Sequence, residues 1–250
     1  MNQNIVYETG EIARYFAKNR VTWGQFYESE RAIISRLGIA RHDTILDIGC
    51  GCGGLGLALR DQFAAENYTG VEINRQAAEA ARTMNPKARI LCGDILDLRH
   101  GELDARRFDV VFSLSCVDWN VQFVDMLNAA WEFVLPGGHL VATFRLIDTE
   151  GCNDFDRSYQ YINFDGRRAG ERASYVVLSA RNVIQDLLVF DPDEISAYGY
   201  WGAPSASAVT PYERLCFSAF AIRKRNGNVR DAPQFELNLP AEIRNVMGLP

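Results

Sequence analysis

Short apolar runs separated by amphipathic stretches recur along the first 145 residues of this chain. The runs have the length expected of strands and are flanked by turn or polar residues; they lie at 44–46, 68–73, 88–95, 108–114 and 136–144. The run at 108–114 has the nearly continuous apolar content of a strand covered on both faces. Strands alternating with helical stretches predict an α/β fold.

The remaining segments follow the same pattern less regularly. Residues 182–189 place four apolar side chains on one helical face, and residues 193–201 and 215–223 predict two final strands. Before the first strand, residues 8–18 have helical periodicity, and a second helix is predicted to end at about Leu37.

A glycine-rich segment, DIGCGCGGLG at 47–56, joins the first strand to the first helix. Glycines let the backbone turn tightly near a ligand, and the free N–H groups of a helix start favour a polar or anionic group. Gly49, Gly51 and Gly54 also satisfy the dinucleotide pattern G-x-G-x-x-G, so spacing alone leaves a nicotinamide cofactor open. Asp47 favours S-adenosylmethionine instead, because a carboxylate there can receive the α-amino group of that cofactor.

Two further acids end the next two predicted strands. Glu72 lies about 20 residues past the glycines, the spacing at which an acid accepts hydrogen bonds from ribose hydroxyls. Asp94 is placed to accept from an adenine amino group, with Ile95 packing on the ring. Three successive strand ends therefore predict one nucleoside-like ligand.

Residues from about 43 to 145 resemble a class I S-adenosylmethionine-dependent methyltransferase domain. The resemblance implies that Asp47, Gly49 and Gly51 hold methionine, Glu72 holds ribose and Asp94 faces adenine. It also implies a seven-stranded, mostly parallel, doubly wound sheet with the last two strands antiparallel. The full set of predicted cofactor-binding residues is Asp47, Gly49, Cys50, Gly51, Glu72, Ile73, Asp94, Ile95 and Ser113.

Composition limits the partners of this domain. The chain has 250 residues, 48% of them hydrophobic, and a net charge of −6. An acidic chain argues against a nucleic-acid partner, and without an apolar run of about 20 residues we predict a cytoplasmic protein with no membrane span. The six cysteines form no C-x-x-C pair, which argues against a zinc site or a disulfide framework.

Residues outside the cofactor motifs are predicted to select the acceptor. A base is needed only where the acceptor must lose a proton, and by position the candidates are Asp118, Asp154 and Tyr159. The predicted acceptor-binding residues are Trp23, Tyr27, Trp119, Arg145 and Tyr161. Arg145 ends the fifth strand and is placed to bind an anion, although a surface salt bridge explains this residue equally well.

The segments around the core have expected roles of their own. We predict an N-terminal helical cap at 1–40, the cofactor-binding domain at 41–225, a substrate lid inserted at 148–175, and a surface-packed or partly disordered extension at 226–250. A divalent cation on the acidic lid residues is an alternative, but acidic loop residues are usually solvated, so no metal is predicted; these residues are Asp148, Glu150, Asp154 and Asp156.

A further resemblance points to a class of acceptor. Residues 21–30 and 53–59 resemble uncharacterised bacterial methyltransferases associated with glycan gene clusters. The resemblance implies O-methylation of a sugar, a sugar-linked group or a similar small metabolite, with S-adenosylhomocysteine as the second product. The alternatives are N-methylation of a small amine, a cofactor-binding protein without turnover, and a nicotinamide-dependent oxidoreductase. The oligomeric state is left open.

Overall fold

A sheet of parallel strands forms the middle of the structure. The computed structural model describes residues 13, 16–103, 105–163, 165–227 and 231–249. The first five strands are β1 (Thr44–Ile48), β2 (Asn67–Glu72), β3 (Arg89–Cys92), β4 (Phe108–Ser113) and β5 (Val134–Ile147). They lie in the order β3-β2-β1-β4-β5, and every neighbouring pair is parallel. The strand order reverses between β1 and β4, and open α/β sheets bind ligands at such a reversal.

Besides two short 3₁₀ turns, seven α-helices and seven further strands make up the rest of the secondary structure of the described residues. The helices are α1 (Glu28–Ile34), α2 (Gly54–Phe63), α3 (Arg75–Met84), α4 (Ile95–Leu98), α5 (Phe123–Glu132), α6 (Ala180–Leu188) and α7 (Ala241–Met247). The strands are β6 (Tyr159–Tyr161), β7 (Arg172–Ser174), β8 (Leu178–Ser179), β9 (Glu194–Gly202), β10 (Ala208–Val209), β11 (Leu215–Arg223) and β12 (Gln234–Asn238). None of these helices is both long and apolar enough to cross a bilayer.

The predicted doubly wound α/β fold is confirmed. β11 inserts between β5 and β9 and runs antiparallel to both, which supplies the two final strands that the sequence predicts. Within the described residues the sheet has nine strands rather than seven, because β12 pairs in parallel with β9 and the short β8 pairs with the end of β5.

Alternating side chains of the central strands fill a core on each face of the sheet. Leu46 and Val111 belong to one buried apolar cluster, whereas their neighbours Ile45 and Val110 belong to the other. Successive side chains of a strand point to opposite faces of the sheet. A strand with apolar residues at consecutive positions therefore contributes to the core on both faces. This accounts for the continuous apolar runs in the sequence.

The segment after β5 differs from its predicted form. The sequence predicts a polar insertion at 148–175 without sheet structure. In the structure β6 and β7 pair antiparallel within it, and β10, from the later loop at 203–214, pairs with β6. A three-stranded sheet results, which the sequence conceals because strands of two or three residues are too short to show a period.

The two ends of the chain also differ from expectation. The predicted helix at 8–18 lies mostly outside the described residues. The second N-terminal helix, α1, ends at Ile34 and is preceded by a 3₁₀ turn, Trp23–Gln25. The predicted surface extension instead contributes β12 to the sheet edge and α7, which packs against α6 and buries Ile243 and Met247.

We expect Ile243→Ala to lower the free energy of unfolding by about 2–5 kcal/mol, because it removes a fully buried side chain from the main core. Val189→Ala is the matched control: Val189 is 81% exposed, and its truncation should change stability by less than about 0.5 kcal/mol. Urea denaturation measures both. Equal stabilities for the two variants would show that α7 is not part of the cooperative fold.

Candidate active site

Two adjoining cavities open at the carboxyl ends of the central strands. The larger has a volume of about 950 Å³ and the smaller about 110 Å³. Gly49, Glu72, Ser115 and Trp119 line both cavities. Because the two spaces share these walls, one extended ligand can occupy both.

The loop after β1 is shaped by glycines at points of close contact. Gly49 has φ +75°, and a Cβ there would lie 2.5 Å from Cys116 Sγ, so the loops after β1 and β4 could not approach as they do. Cys50 follows in the wall of the larger cavity, where burial raises the pKa of its thiol well above the usual value. The thiol is therefore neutral at physiological pH.

Glu72 lies where the two cavities meet. Its carboxylate accepts hydrogen bonds from the backbone N–H of Gly51 at 2.8 Å and of Asn74 at 2.7 Å. Burial raises the pKa of Glu72, and these two N–H donors oppose the shift. The carboxylate is thus held in place between the cavities, as an acceptor of ribose hydroxyls requires.

Asp47 forms part of the larger cavity at the end of β1. The side chain is 3% exposed and accepts a hydrogen bond from the Tyr68 hydroxyl at 2.5 Å. Burial raises the pKa of Asp47 to about 7, while the Tyr68 hydrogen bond and the charge of Arg20 act in the opposite direction. Sequence reasoning missed Tyr68, since nothing local distinguishes it from a core residue of β2.

The N-terminal segment lies directly against the start of α2. A Cβ on Gly54 would be 1.9 Å from the carbonyl oxygen of Arg20, so only glycine allows this contact. Arg20 lines the larger cavity and forms a 2.8 Å ion pair with Glu30, whose side chain is fully buried. Neither residue was predicted. The described residues of this segment close one side of the cavity next to Asp47.

The smaller cavity is lined by both residues predicted to contact adenine, Asp94 and Ile95. Ile73, Asp94 and Ile95 line it, and the Asp94 carboxylate accepts the backbone N–H of Leu96 at the start of α4. Ser113 does not line either cavity, because it lies buried within β4. Ser115, two residues further on, lines both.

Arg145 and Asp118 form a buried pair in the wall of the larger cavity. They are 5% and 4% exposed, and Arg145 Nε lies 3.3 Å from Asp118 Oδ2. The Arg145 guanidinium lies over the ring of Trp119 at 4.4 Å and that of Tyr175 at 3.8 Å. The surface salt bridge considered for Arg145 is therefore wrong in one respect: the pair is internal.

Besides Ser113, four predicted site residues lie outside the two cavities. Trp23 packs edge-on against Phe63, with ring centroids 5.3 Å apart, and Asp154 is exposed in a turn. Tyr159 and Tyr161 contact each other on β6, while Gln160 between them lines the larger cavity. Alternation along the strand decides this, because neighbouring side chains point to opposite faces.

The other predicted residues are at the site. Tyr27 lines the larger cavity although it is 53% exposed.

Among the described residues no three His, Cys, Asp or Glu side chains are placed to hold a metal ion. The alternative of a cation on the acidic residues after β5 therefore gains no support.

Comparison with known proteins gives a family to the central part of the chain. Residues 45–138 match the family model of the methyltransferase domain. The chain carries a class I S-adenosylmethionine-dependent methyltransferase domain. The matched residues run from β1 into β5 and contain every acid assigned to the cofactor.

Similar proteins extend the comparison beyond that domain. A malonyl-[acyl-carrier protein] O-methyltransferase of Brevibacillus brevis is 31% identical over 132 residues, covering 51% of this chain and 48% of the relative. A trans-aconitate 2-methyltransferase of Deinococcus radiodurans is 27% identical over 122 residues, 45% of each chain. This chain matches only about half the length of these relatives.

One solved structure shows the same fold over most of this chain. It is a phosphoethanolamine N-methyltransferase 2 of Haemonchus contortus in complex with S-adenosylhomocysteine. The TM-score is 0.60 at 15% identity, covering 87% of this chain and 57% of the other. The S-adenosylmethionine cofactor type thus follows from the family, and the cavities at the strand ends have the acids to receive it.

We expect Glu72→Gln to weaken S-adenosylmethionine binding by about 1–3 kcal/mol, because ribose hydroxyls lose a charged acceptor. Glu79→Gln is the control, since Glu79 is exposed on α3 and its side chain pairs with Arg75 on the same helix. Isothermal titration calorimetry measures both affinities. Equal affinity of Glu72→Gln and the parent protein would contradict the assignment of Glu72 to ribose.

Cofactor affinity should fall as the pH falls below about 7. Protonation of Asp47, whose pKa is raised to about 7, removes the negative charge that receives the cofactor's ammonium group. Well below that pKa the affinity should drop by up to about tenfold per pH unit. Calorimetry between pH 5.5 and 7 keeps the ammonium group mostly protonated, since α-amino groups have a pKa of about 8. The Asp47→Asn variant should bind weakly with a flat profile; a slope equal to the parent's would assign the titration elsewhere.

Proposed function

We propose that this protein transfers the methyl group of S-adenosylmethionine to a small molecule bound in the larger cavity. The observation that carries the proposal is that one cavity is lined both by Asp47 and Glu72 and by the cluster of Arg145, Trp119 and Tyr175. Its volume of about 950 Å³ lies near the top of the range of about 300–1,000 Å³ for small-molecule sites, which leaves room for an acceptor beside the cofactor.

S-adenosylmethionine supplies a methyl group on a positively charged sulfur, which an acceptor atom displaces in line. The chain's residues then have to align the two molecules and exclude water. Asp47 orients the cofactor's ammonium group, Glu72 the ribose and Asp94 the adenine amino group. Residues 13–40 and 148–175 serve as cap and lid in this proposal, since Arg20, Tyr27, Gln160 and Ile162 line the larger cavity.

Two classes of acceptor are compatible with the sequence. O-methylation of a sugar or sugar-linked group is the expectation from sequence, and N-methylation of a small amine is its alternative. The two curated relatives are named for acyl and acid acceptors, which supports a small molecule as the class. A hydroxyl acceptor needs a base, and of the three predicted bases only Asp118 lines the cavity.

Methyl transfer can be tested without knowing the acceptor. Protein is incubated with methyl-labelled S-adenosylmethionine and a size-fractionated extract of the source cells, and Asp47→Asn serves as the blank. Label in the small-molecule fraction of the parent reaction alone is the expected result. Label in protein or nucleic acid would contradict the small-molecule proposal. Cofactor binding by calorimetry without any labelled fraction would instead indicate a cofactor-binding protein without turnover.

A further inference from the structure

The guanidinium of Arg145 is incompletely satisfied by the protein. Nη1 donates to the carbonyl oxygens of Asp118 at 2.8 Å and Val176 at 3.3 Å. Nε lies 3.3 Å from Asp118 Oδ2 as an ion pair. Nη2 donates to none of the residues that the structure describes. A buried charged group normally has all its donors paired, so Nη2 is available to a ligand in the cavity.

The partner of Arg145 has an unused atom as well. Asp118 Oδ1 is buried and accepts no hydrogen bond from the described residues. Asp118 also lines the larger cavity. The wall therefore has one free donor and one buried, unpaired acceptor within a single ion pair. An anionic oxygen of a ligand in the cavity would satisfy the free donor of Arg145.

We propose that the acceptor is a small carboxylic acid and that its product is a methyl ester. The proposal rests on the proposed methyltransferase function and names the substrate class of the same site. Arg145 Nη2 donates to one carboxylate oxygen, and the second oxygen is left to attack the methyl carbon. The guanidinium lies over the rings of both Trp119 and Tyr175, and Asp118 is a positioning residue for Arg145.

The charge of the wall favours a carboxylate over a phosphate. Asp118 already places one negative charge 3.3 Å from Arg145. A carboxylate adds one more negative charge, whereas a phosphate monoester adds close to two. Of the anions that Arg145 can bind, the singly charged acid costs the least repulsion with Asp118.

The chemistry of esterification suits a site with few bases. The attacking carboxylate oxygen forms a bond to the methyl carbon, the carbon–sulfur bond breaks, and its electron pair stays on sulfur. A negative oxygen and a positive sulfur become a neutral ester and a neutral thioether, so no proton is released. No histidine lines the larger cavity among the described residues, and burial raises the pKa of Tyr175 and Tyr200 in its wall, which makes these phenols poor bases.

The test uses the lability of methyl esters in alkali. The labelled small-molecule fraction from the parent reaction is treated with mild base, and volatile labelled methanol is collected. Release of most of the label as methanol is the expected result, because methyl esters hydrolyse under these conditions. Methyl ethers, methylamines and methyl phosphodiesters keep their label, so a base-stable product would overturn the acid proposal while leaving methyl transfer intact. Absence of any labelled product would be a failure of the proposed function itself.

Two variants connect the product to Arg145. With the extract at a subsaturating concentration, Arg145→Met should form base-labile labelled product about tenfold more slowly, or slower still. A loss of this size is expected when a hydrogen bond from a charged group is removed. Its cofactor affinity by calorimetry should stay within about twofold of the parent's. Arg172→Met is the matched control, because Arg172 also lies over two aromatic rings, Phe155 and Tyr159, but outside the cavity. Equal labelling by the two variants would overturn the role of Arg145.

Discussion

Asp47 and Glu72 lie near the ends of neighbouring parallel strands, and the pairing of β1 with β2 brings their carboxylates to one edge of the sheet. Both are buried, and a buried carboxylate is costly unless hydrogen bonds compensate for the lost water. The backbone N–H groups of Gly51 in the glycine loop and of Asn74 after β2 compensate Glu72, and the Tyr68 hydroxyl compensates Asp47. The turn after β1 must therefore place the Gly51 N–H toward Glu72, and the rest of the site is built around this requirement.

The same constraint recurs in the surrounding elements. Glu30 on α1 is fully buried and paired with Arg20, and Asp118 after β4 is paired with Arg145 on β5. Each ion pair thus connects two segments of the chain, ten residues apart for Glu30 and 27 residues apart for Asp118. Arg20, Asp118 and Arg145 of these pairs line the larger cavity. The atoms left unpaired, Arg145 Nη2 and Asp118 Oδ1, belong to the second pair.

The cofactor half of the site could be predicted because its signals are local. A strand, a glycine turn and a helix start are contiguous, and the acids at 72 and 94 follow at strand ends that apolar runs reveal. The acceptor half of the site was harder to predict from the sequence. Arg20, Glu30, Tyr68 and Tyr175 were missed, since each acts through a contact with a residue of another segment of the fold. Tyr159 and Tyr161 were predicted for the site, but the orientation of β6 faces Gln160 to the cavity instead.

The sequence by itself determined the fold class, the order of the central strands along the chain, and which acids end them, because apolar periodicity and glycine turns follow from short-range backbone geometry. Only the tertiary structure decided which polar residues share the larger cavity, that the Arg145–Asp118 pair is internal, and that the last residues add β12 and α7 to the fold. These features depend on strand register and on packing between distant segments. Neither leaves a period in the sequence, since a single contact between two residues has no repeat to detect.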